Sequence, residues 1–328
     1  MATDANPGYW VGVDLGGTKM LATVYDLDFE PRGRKRRRTK GSEGAESVTA
    51  RMIRTLQDAV AEAEVEPDQV LGVGVGIPGP IDQAKGVVLE AVNLNWNDLP
   101  LVKILREAFD RPIVLLNDVD SGVYGEYRFG AGKSARTVLG IFPGTGIGGG
   151  CVYDGQIIRG KRNSCMEIGH IPVSVDGNLC GCGLRGCLEV EASRLAISAE
   201  VAKAAYRGEA PTILAEAGTN LSNIRSAVLA KAVEEGDEIV ERIIRRAAGY
   251  LGKAVATCVH LICPDTIVLG GGMVEAMPKL YVNAVTEAAR ESVMPSFVDT
   301  FKIVAAKLGD DAAVLGAAAW AEKTFGEQ

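Results

Sequence analysis

Three cysteines fall within eight residues, Cys180-Gly-Cys182-Gly-Leu-Arg-Gly-Cys187, beginning ten residues after the end of Glu167-Ile-Gly-His170. Thiolate and imidazole donors suit zinc, and three plus one make a complete tetrahedral set, so His170, Cys180, Cys182 and Cys187 are candidate ligands of a structural Zn²⁺ rather than of a water-activating one. The alternative is a redox or merely solvent-facing cysteine cluster. Three glycine-rich turns carry a different chemistry: Asp14-Leu-Gly16-Gly17-Thr18-Lys19, Gly144-Thr145-Gly146-Ile-Gly148-Gly-Gly150 and Gly270-Gly271-Gly272-Met273. Glycine lets backbone N–H groups approach phosphate oxygens with no Cβ in the way. Thr18, Lys19 and Thr145 add hydroxyls and a charge, and Asp14 could hold Mg²⁺ through water. Each turn on its own could equally be only a tight turn. The dinucleotide spacing Gly-x-Gly-x-x-Gly occurs at Gly144 and at Gly74, but a helix must open directly after it. Strand residues follow the first and Pro78-Gly-Pro80 follows the second, so NAD binding is rejected, and no Walker loop occurs. Finally, Asn117-Asp118 ends an apolar run, where a carboxylate can face a cleft and accept a proton. The competing reading is a cap for a helix over 119–128.

These groups need elements to hold them. Runs at 10–14 and 20–25 read as a hairpin around the first loop, with a third strand at 34–39. Residues 48–64 have helical apolar spacing. A buried strand at 70–77 ends at Pro78, and a short strand at 112–116 delivers Asn117 and Asp118. A second cycle repeats the pattern, with strands at 137–142 and 149–153 around Gly144–Gly150 and helices at 194–207, 224–234 and 238–262. A strand at 266–269, a helix at about 278–292, a strand at 301–305 and an Ala-rich helix at 312–325 complete it. Two rounds of strand, glycine turn and strand followed by helices predict two α/β domains of related design.

At 328 residues the chain is long enough for two domains with a real core. The net charge of −7 weighs against nucleic acid or an anionic membrane as main partner. No apolar run approaches a membrane span, and the polar start with Asp4 lacks a signal peptide's pattern, so a cytoplasmic location is expected. In that compartment cysteines are thiols or metal ligands rather than disulfides. Cys151, Cys165, Cys258 and Cys263 read as buried small apolar groups. Seven basic residues between Arg32 and Lys40 fit an edge strand protected by charge better than a nucleic-acid site.

The order and spacing of Asp14–Lys19, Asn117-Asp118, Gly144–Gly150, Glu167–His170, Cys180–Glu189 and Gly270–Gly272 resemble the ROK family of sugar kinases and sugar-responsive repressors. The cysteine element is the most specific of these. The resemblance implies a two-domain actin-like ATPase fold of the sugar kinase/ribonuclease H-like type with a central cleft. The expected boundaries are 1–119 plus 311–328 for the smaller domain and 120–310 for the larger, with the zinc loop at 170–189. It implies the same zinc ligands, Asp118 as general base, and Gly79, Asn93, Asn117, Asp118, Glu167, His170 and Glu189 as sugar contacts. Mg-ATP would lie on Asp14, Gly16, Gly17, Thr18, Lys19, Gly144, Thr145, Gly146, Gly148, Gly270, Gly271 and Gly272. Asn93-Leu-Asn-Trp96-Asn97 is similar to a segment of the family's glucokinases, so glucose is the expected acceptor, and Trp96 is placed near the sugar. Fructose, mannose, allose and N-acetylmannosamine kinases carry nearly the same motifs. A homo-oligomer, dimer or tetramer, is implied, with the apolar final helix a contributor.

Rivals of another class are a repressor, a catalytically silent sugar sensor, and an enzyme using polyphosphate or ADP as donor. Only about ten residues precede the first phosphate loop, which leaves no room there for a winged helix.

Overall fold

The computed structural model describes residues 8–161 and 165–326. The start of the chain with Asp4, read above as lacking a signal pattern, lies outside the described residues. Two compact units emerge, one made of Met1–Lys133, Gly155–Cys165 and Asp310–Gln328, the other of Ser134–Asp154 and Met166–Gly309.

Unit 1 opens with β1 (Tyr9–Leu15) and β2 (Lys19–Tyr25), an antiparallel hairpin in which Asp14 faces Leu21. Next come β3 (Pro31–Arg38), α1 (Ala45–Glu62) and β4 (Val70–Ile77). A small sheet follows, of β5 (Ile81–Asp82), β6 (Val87–Ala91) and β7 (Trp96–Leu99), then α2 (Leu101–Ala108), β8 (Ile113–Asn117) and α3 (Asp118–Arg128). The main sheet runs β3-β2-β1-β4-β8. As expected, the basic strand β3 is an edge, and most of its charges are paired. Arg34 pairs with Asp311 at 2.6 Å and Arg36 with Asp310 at 3.0 Å, while Lys35 and Arg37 reach Glu62 and Asp58 of α1. The small sheet was not foreseen, because strands of two to five residues show no sustained alternation. Trp96 is 2% exposed and belongs to the core of this unit, a correction to its expected place beside the sugar.

Unit 2 begins with β9 (Thr137–Pro143) and β10 (Ile147–Tyr153), an antiparallel hairpin. The chain then returns to unit 1 for Gly155–Cys165, which carries the short β11 (Gln156–Ile157). Back in unit 2 lie α4 (Leu188–Ala192), α5 (Arg194–Tyr206), α6 (Pro211–Ala217), α7 (Ser226–Glu234) and α8 (Glu238–Ile262). They are followed by β12 (Thr266–Leu269), α9 (Gly272–Ala276), α10 (Pro278–Ser292) and β13 (Lys302–Ala305). The unit's own strands run β10-β9-β12-β13, with β12 parallel to both its neighbours. Unit 1 contains the same pattern in β2-β1-β4-β8, a hairpin followed by two parallel strands. The architecture is that of a two-domain actin-like ATPase.

The last helix, α11 (Ala312–Phe325), completes unit 1. It lies so close to the sheet that a Cβ on Gly12 would stand 1.9 Å from the Val314 carbonyl oxygen, and one on Gly74 1.8 Å from that of Ala317. Such contact explains why the division falls after Lys133 rather than near 119. Helix α3 is held to α11 through Gly125, whose Cβ would stand 2.2 Å from the Ala312 carbonyl oxygen, and through Tyr124, edge-on to Trp320 at 4.9 Å. Most of the apolar residues of α11, Trp320 among them, are thereby buried within the chain. Cys151 and Cys258 are buried as expected, whereas Cys263 is exposed, because it ends α8 in a left-handed conformation at φ 42°. Among the described residues no helix is long and apolar enough to cross a membrane.

Candidate active site

In unit 1 the candidate residues gather at the C-terminal ends of β1, β4 and β8. The loop after β1 is pinned by its own backbone, with the Gly16 N–H donating to the Lys19 carbonyl at 2.9 Å. Thr39 adds two bonds, its hydroxyl donating to the Gly16 carbonyl at 2.6 Å and its N–H to that of Thr18 at 2.8 Å. Gly17 and Thr18 are left exposed, and the Asn93 Cβ lies 3.7 Å from where a Cβ on Gly17 would be. The Lys19 ammonium is held by Asp310 at 2.7 Å, and Asp310 also accepts from Arg36.

Asn117 is the N-cap of α3. Its Oδ1 accepts from the N–H groups of Val119 (2.9 Å) and Asp120 (3.2 Å), and its Nδ2 donates to the Gly79 carbonyl at 3.2 Å. Asn117 therefore performs the capping considered for this pair, and one amide hydrogen remains for a ligand. Asp118 is the first residue of the helix. Its Oδ1 accepts the Val119 N–H at 2.9 Å, and it has no ion pair among the described residues. Burial raises its pKa above the ordinary carboxylate value. Burial likewise raises Asp14 to about 7, with the Asp118 charge adding to the effect and Lys19 opposing it. Two carboxyls whose acidity burial weakens, with the Asp118 charge acting on Asp14 beside the Lys19 ammonium, suit a hard cation bound through water.

In unit 2 the turn between β9 and β10 is closed by the Gly144 N–H donating to the Gly146 carbonyl at 2.8 Å. One residue of α4 and one of α5 clamp it. The Ile147 N–H donates to Glu189 Oε2 at 3.0 Å, and the Arg194 guanidinium donates to the Thr145 hydroxyl at 2.9 Å. A Cβ on Gly146 would stand 2.3 Å from that same Glu189 oxygen. Gly270 packs on the Phe142 ring, and Gly271, at φ +84°, lies against the Pro143 carbonyl. The second and third loops therefore abut at the end of β9. Gly148 and Gly272 continue them into β10 and α9. Glu167 precedes the turn Ile168–His170, which packs on β10 so closely that a Cβ on Gly169 would stand 2.3 Å from the Ile147 carbonyl oxygen.

His170, Cys180, Cys182 and Cys187 bring one donor atom each to within 4.8 Å of one another. Cys182 Sγ and Cys187 Sγ are 3.7 Å apart, as are Cys180 Sγ and His170 Nδ1. Zn–S bonds of about 2.3 Å give S–S edges of about 3.8 Å in a regular tetrahedron, close to the Cys182–Cys187 separation, so the donor set fits zinc in size and in kind. His170 would use Nδ1, leaving Nε2 for another partner.

Thr39, Arg194 and Asp310 were not singled out from sequence. Asp310-Asp311 before an apolar helix is a charge signal that could have been read; Thr39 and Arg194 had none beyond residue type.

A ROK family profile matches residues 10–324. The chain is 33% identical over 317 residues to a glucokinase of Thermotoga maritima, covering 96% of this chain and 98% of that protein. It is 27% identical to a xylose repressor of Caldicellulosiruptor bescii, covering 94% of this chain and 77% of the repressor. The crystal structure of a ROK family glucokinase from Streptomyces griseus, in complex with glucose and AMPPNP, superposes with a TM-score of 0.82 at 30% identity, covering 96% of this chain and all of that one.

Proposed function

The chain belongs to the ROK family, and from that premise we propose that it transfers the γ-phosphate of ATP to a hexose, with glucose the favoured acceptor and its 6-hydroxyl the atom modified. Asp118 carries the reading. It is a half-buried carboxylate at the start of α3, without an ion-pair partner among the described residues, and burial raises its proton affinity. Phosphoryl transfer asks little covalent help of a protein and much positioning, with one group to take the hydroxyl proton. Asp118 is that group. Asn117 offers its remaining amide hydrogen to the sugar and holds the Gly79 carbonyl in place, while Asn93, Glu167, His170 and Glu189 contact the other hydroxyls. The glycine loops at 14–19, 144–148 and 270–272 bind the phosphates through backbone N–H groups. Asp14 would hold, through water, the Mg²⁺ that arrives with ATP, and that ion would supply neutralisation of the developing charge. His170, Cys180, Cys182 and Cys187 would hold a structural zinc, which would orient His170 and anchor the segment that carries Glu189. The glucose and AMPPNP bound to the Streptomyces griseus relative and the glucokinase of Thermotoga maritima support this choice of substrates. A cytoplasmic homodimer or homotetramer is part of the same reading, checked by light scattering on the purified protein.

The experiment is coupled ADP release with Mg-ATP over glucose, mannose, fructose, allose, N-acetylglucosamine and N-acetylmannosamine. Turnover on glucose is expected. Preference for another sugar overturns glucose and keeps the mechanism. No turnover by folded, zinc-loaded protein, with polyphosphate and ADP also tried as donors, overturns the kinase and leaves a sugar sensor, the reading that the likeness to xylose repressors favours.

A further inference from the structure

Arg194 brings a positive charge to the second phosphate loop, and no carboxylate among the described residues pairs with it. It is the first residue of α5, and its backbone N–H donates to the Gly144 carbonyl at 2.9 Å. Its side chain turns to the same loop, where Nη2 donates to the Thr145 hydroxyl oxygen at 2.9 Å. Arg194 is half-buried and Thr145 exposed, so the pair meets solvent. The other guanidinium N–H groups have no hydrogen-bond partner among the described residues. Glu189, the carboxylate that also reaches this loop, accepts the Ile147 N–H and stands outside ion-pair distance of Arg194. The first turn of α5 holds no acidic residue either, although the positive end of the helix lies there.

A cation at the positive end of a helix, tied to a hydroxyl rather than a carboxylate, lowers stability unless an anion uses its charge. The hydroxyl tells which anion fits. By accepting from Arg194, Thr145 Oγ1 spends a lone pair and keeps its own proton free to donate. The pair therefore presents an O–H, further guanidinium N–H groups and a full positive charge. Such a set suits a phosphate, whose oxygens accept several bonds at once. The turns Gly144–Gly150 and Gly270–Met273 contain no Lys or Arg of their own, so the charge they lack comes from Arg194. We propose that Arg194 is a phosphate-binding residue of the donor site and grips the phosphate chain of the nucleotide beside Thr145. The inference rests on the kinase reading above, and its test reads binding, so that the two can fail separately.

ATP and ADP, each with Mg²⁺, and inorganic tripolyphosphate are titrated into the full chain by calorimetry. Arg194→Gln should weaken ATP at least tenfold with an unchanged melting curve, and Arg194→Lys should lie between the two. Thr145→Val separates a direct grip from a clamp on the loop, because it removes the bond between the two side chains. Adding Arg194→Gln to Thr145→Val should weaken ATP at least a further fivefold. No further loss would mean that Arg194 only shapes the loop, which overturns the proposal, as does equal ATP binding by folded Arg194→Gln. If the unaltered protein takes tripolyphosphate and no nucleotide, the donor changes, and the same tenfold loss is then required of tripolyphosphate. No binding of any of the three by the unaltered protein overturns the donor site itself and Arg194 with it. Should Arg194→Gln not fold, Arg194→Lys decides in its place, and affinity equal to that of the unaltered protein overturns the proposal.

Discussion

Asp14 and Asp118 divide between them the cost and the use of a buried carboxyl. Asp118→Asn keeps the shape and removes the proton acceptor, so kcat should fall by about 10²- to 10⁴-fold with the fold intact. Because burial raises the pKa of Asp118, the acid limb of kcat/KM should lie above the ordinary carboxylate value of 3.8. Asp14 has the opposite lesson for stability. Its pKa in the fold is about 7 against 3.8 in the unfolded chain. The native state therefore holds this proton more tightly, and the associated stability is fully present below 3.8 and lost as pH rises through about 7. Asp14→Asn should therefore raise the unfolding free energy at pH 8 by a few kcal/mol, each tenfold displacement of acid dissociation being worth about 1.4 kcal/mol. At pH 4 the two proteins should melt together. An equal gain at both pH values in urea unfolding would mean that packing, not ionisation, is the cause.

Between residues and domains, the segment that carries Glu189 and the turn at Gly144–Gly146 behave as one element. Glu189 is expected to touch sugar, yet in the structure its carboxylate accepts the Ile147 N–H. Glu189→Ala should therefore raise KM for ATP as well as for the hexose, and a change confined to the hexose would show that the loop holds its shape alone. Stripping the metal, or Cys187→Ser, should lower the melting temperature and remove one equivalent of zinc by elemental analysis. Local spacing disclosed the cluster of His170 with three cysteines and the three glycine turns, because these residues lie within short stretches whose backbone geometry follows from glycine. It disclosed neither Asp310 as the partner of Lys19, 291 residues away, nor Thr39 as the clasp on Gly16. Those contacts depend on which elements meet, and no local period encodes that. The sheet of β5, β6 and β7 stayed hidden for a related reason. Strands this short are held by neighbours rather than by their own pattern, so Trp96 was placed by motif beside the sugar and not in the core.

Each unit of the whole molecule carries one hairpin and two parallel strands, and the repetition was legible because each round has its own glycine turn. The division between units was misplaced because α11 and α3 interlock through small residues, a relation between segments some 190 residues apart in sequence, as the Arg128–Glu322 pair marks. Gly74→Ala places a Cβ on the Ala317 carbonyl, where neither backbone can give way cheaply. A loss of about 3 kcal/mol in urea unfolding is expected, as for other overpacked cores, and a loss under 1 kcal/mol would mean that α11 can lift from the sheet. The same seam has a consequence for biosynthesis. Chains fold largely as they are made, domain by domain. Here β1 and β4 are made long before α11, the helix that covers them, and all of unit 2 is made in between, so unit 1 waits with an apolar face in water while unit 2 can already close. The interval between those two events is when the nascent chain depends most on chaperones, and slower translation of the segment before Ala312 would lengthen it.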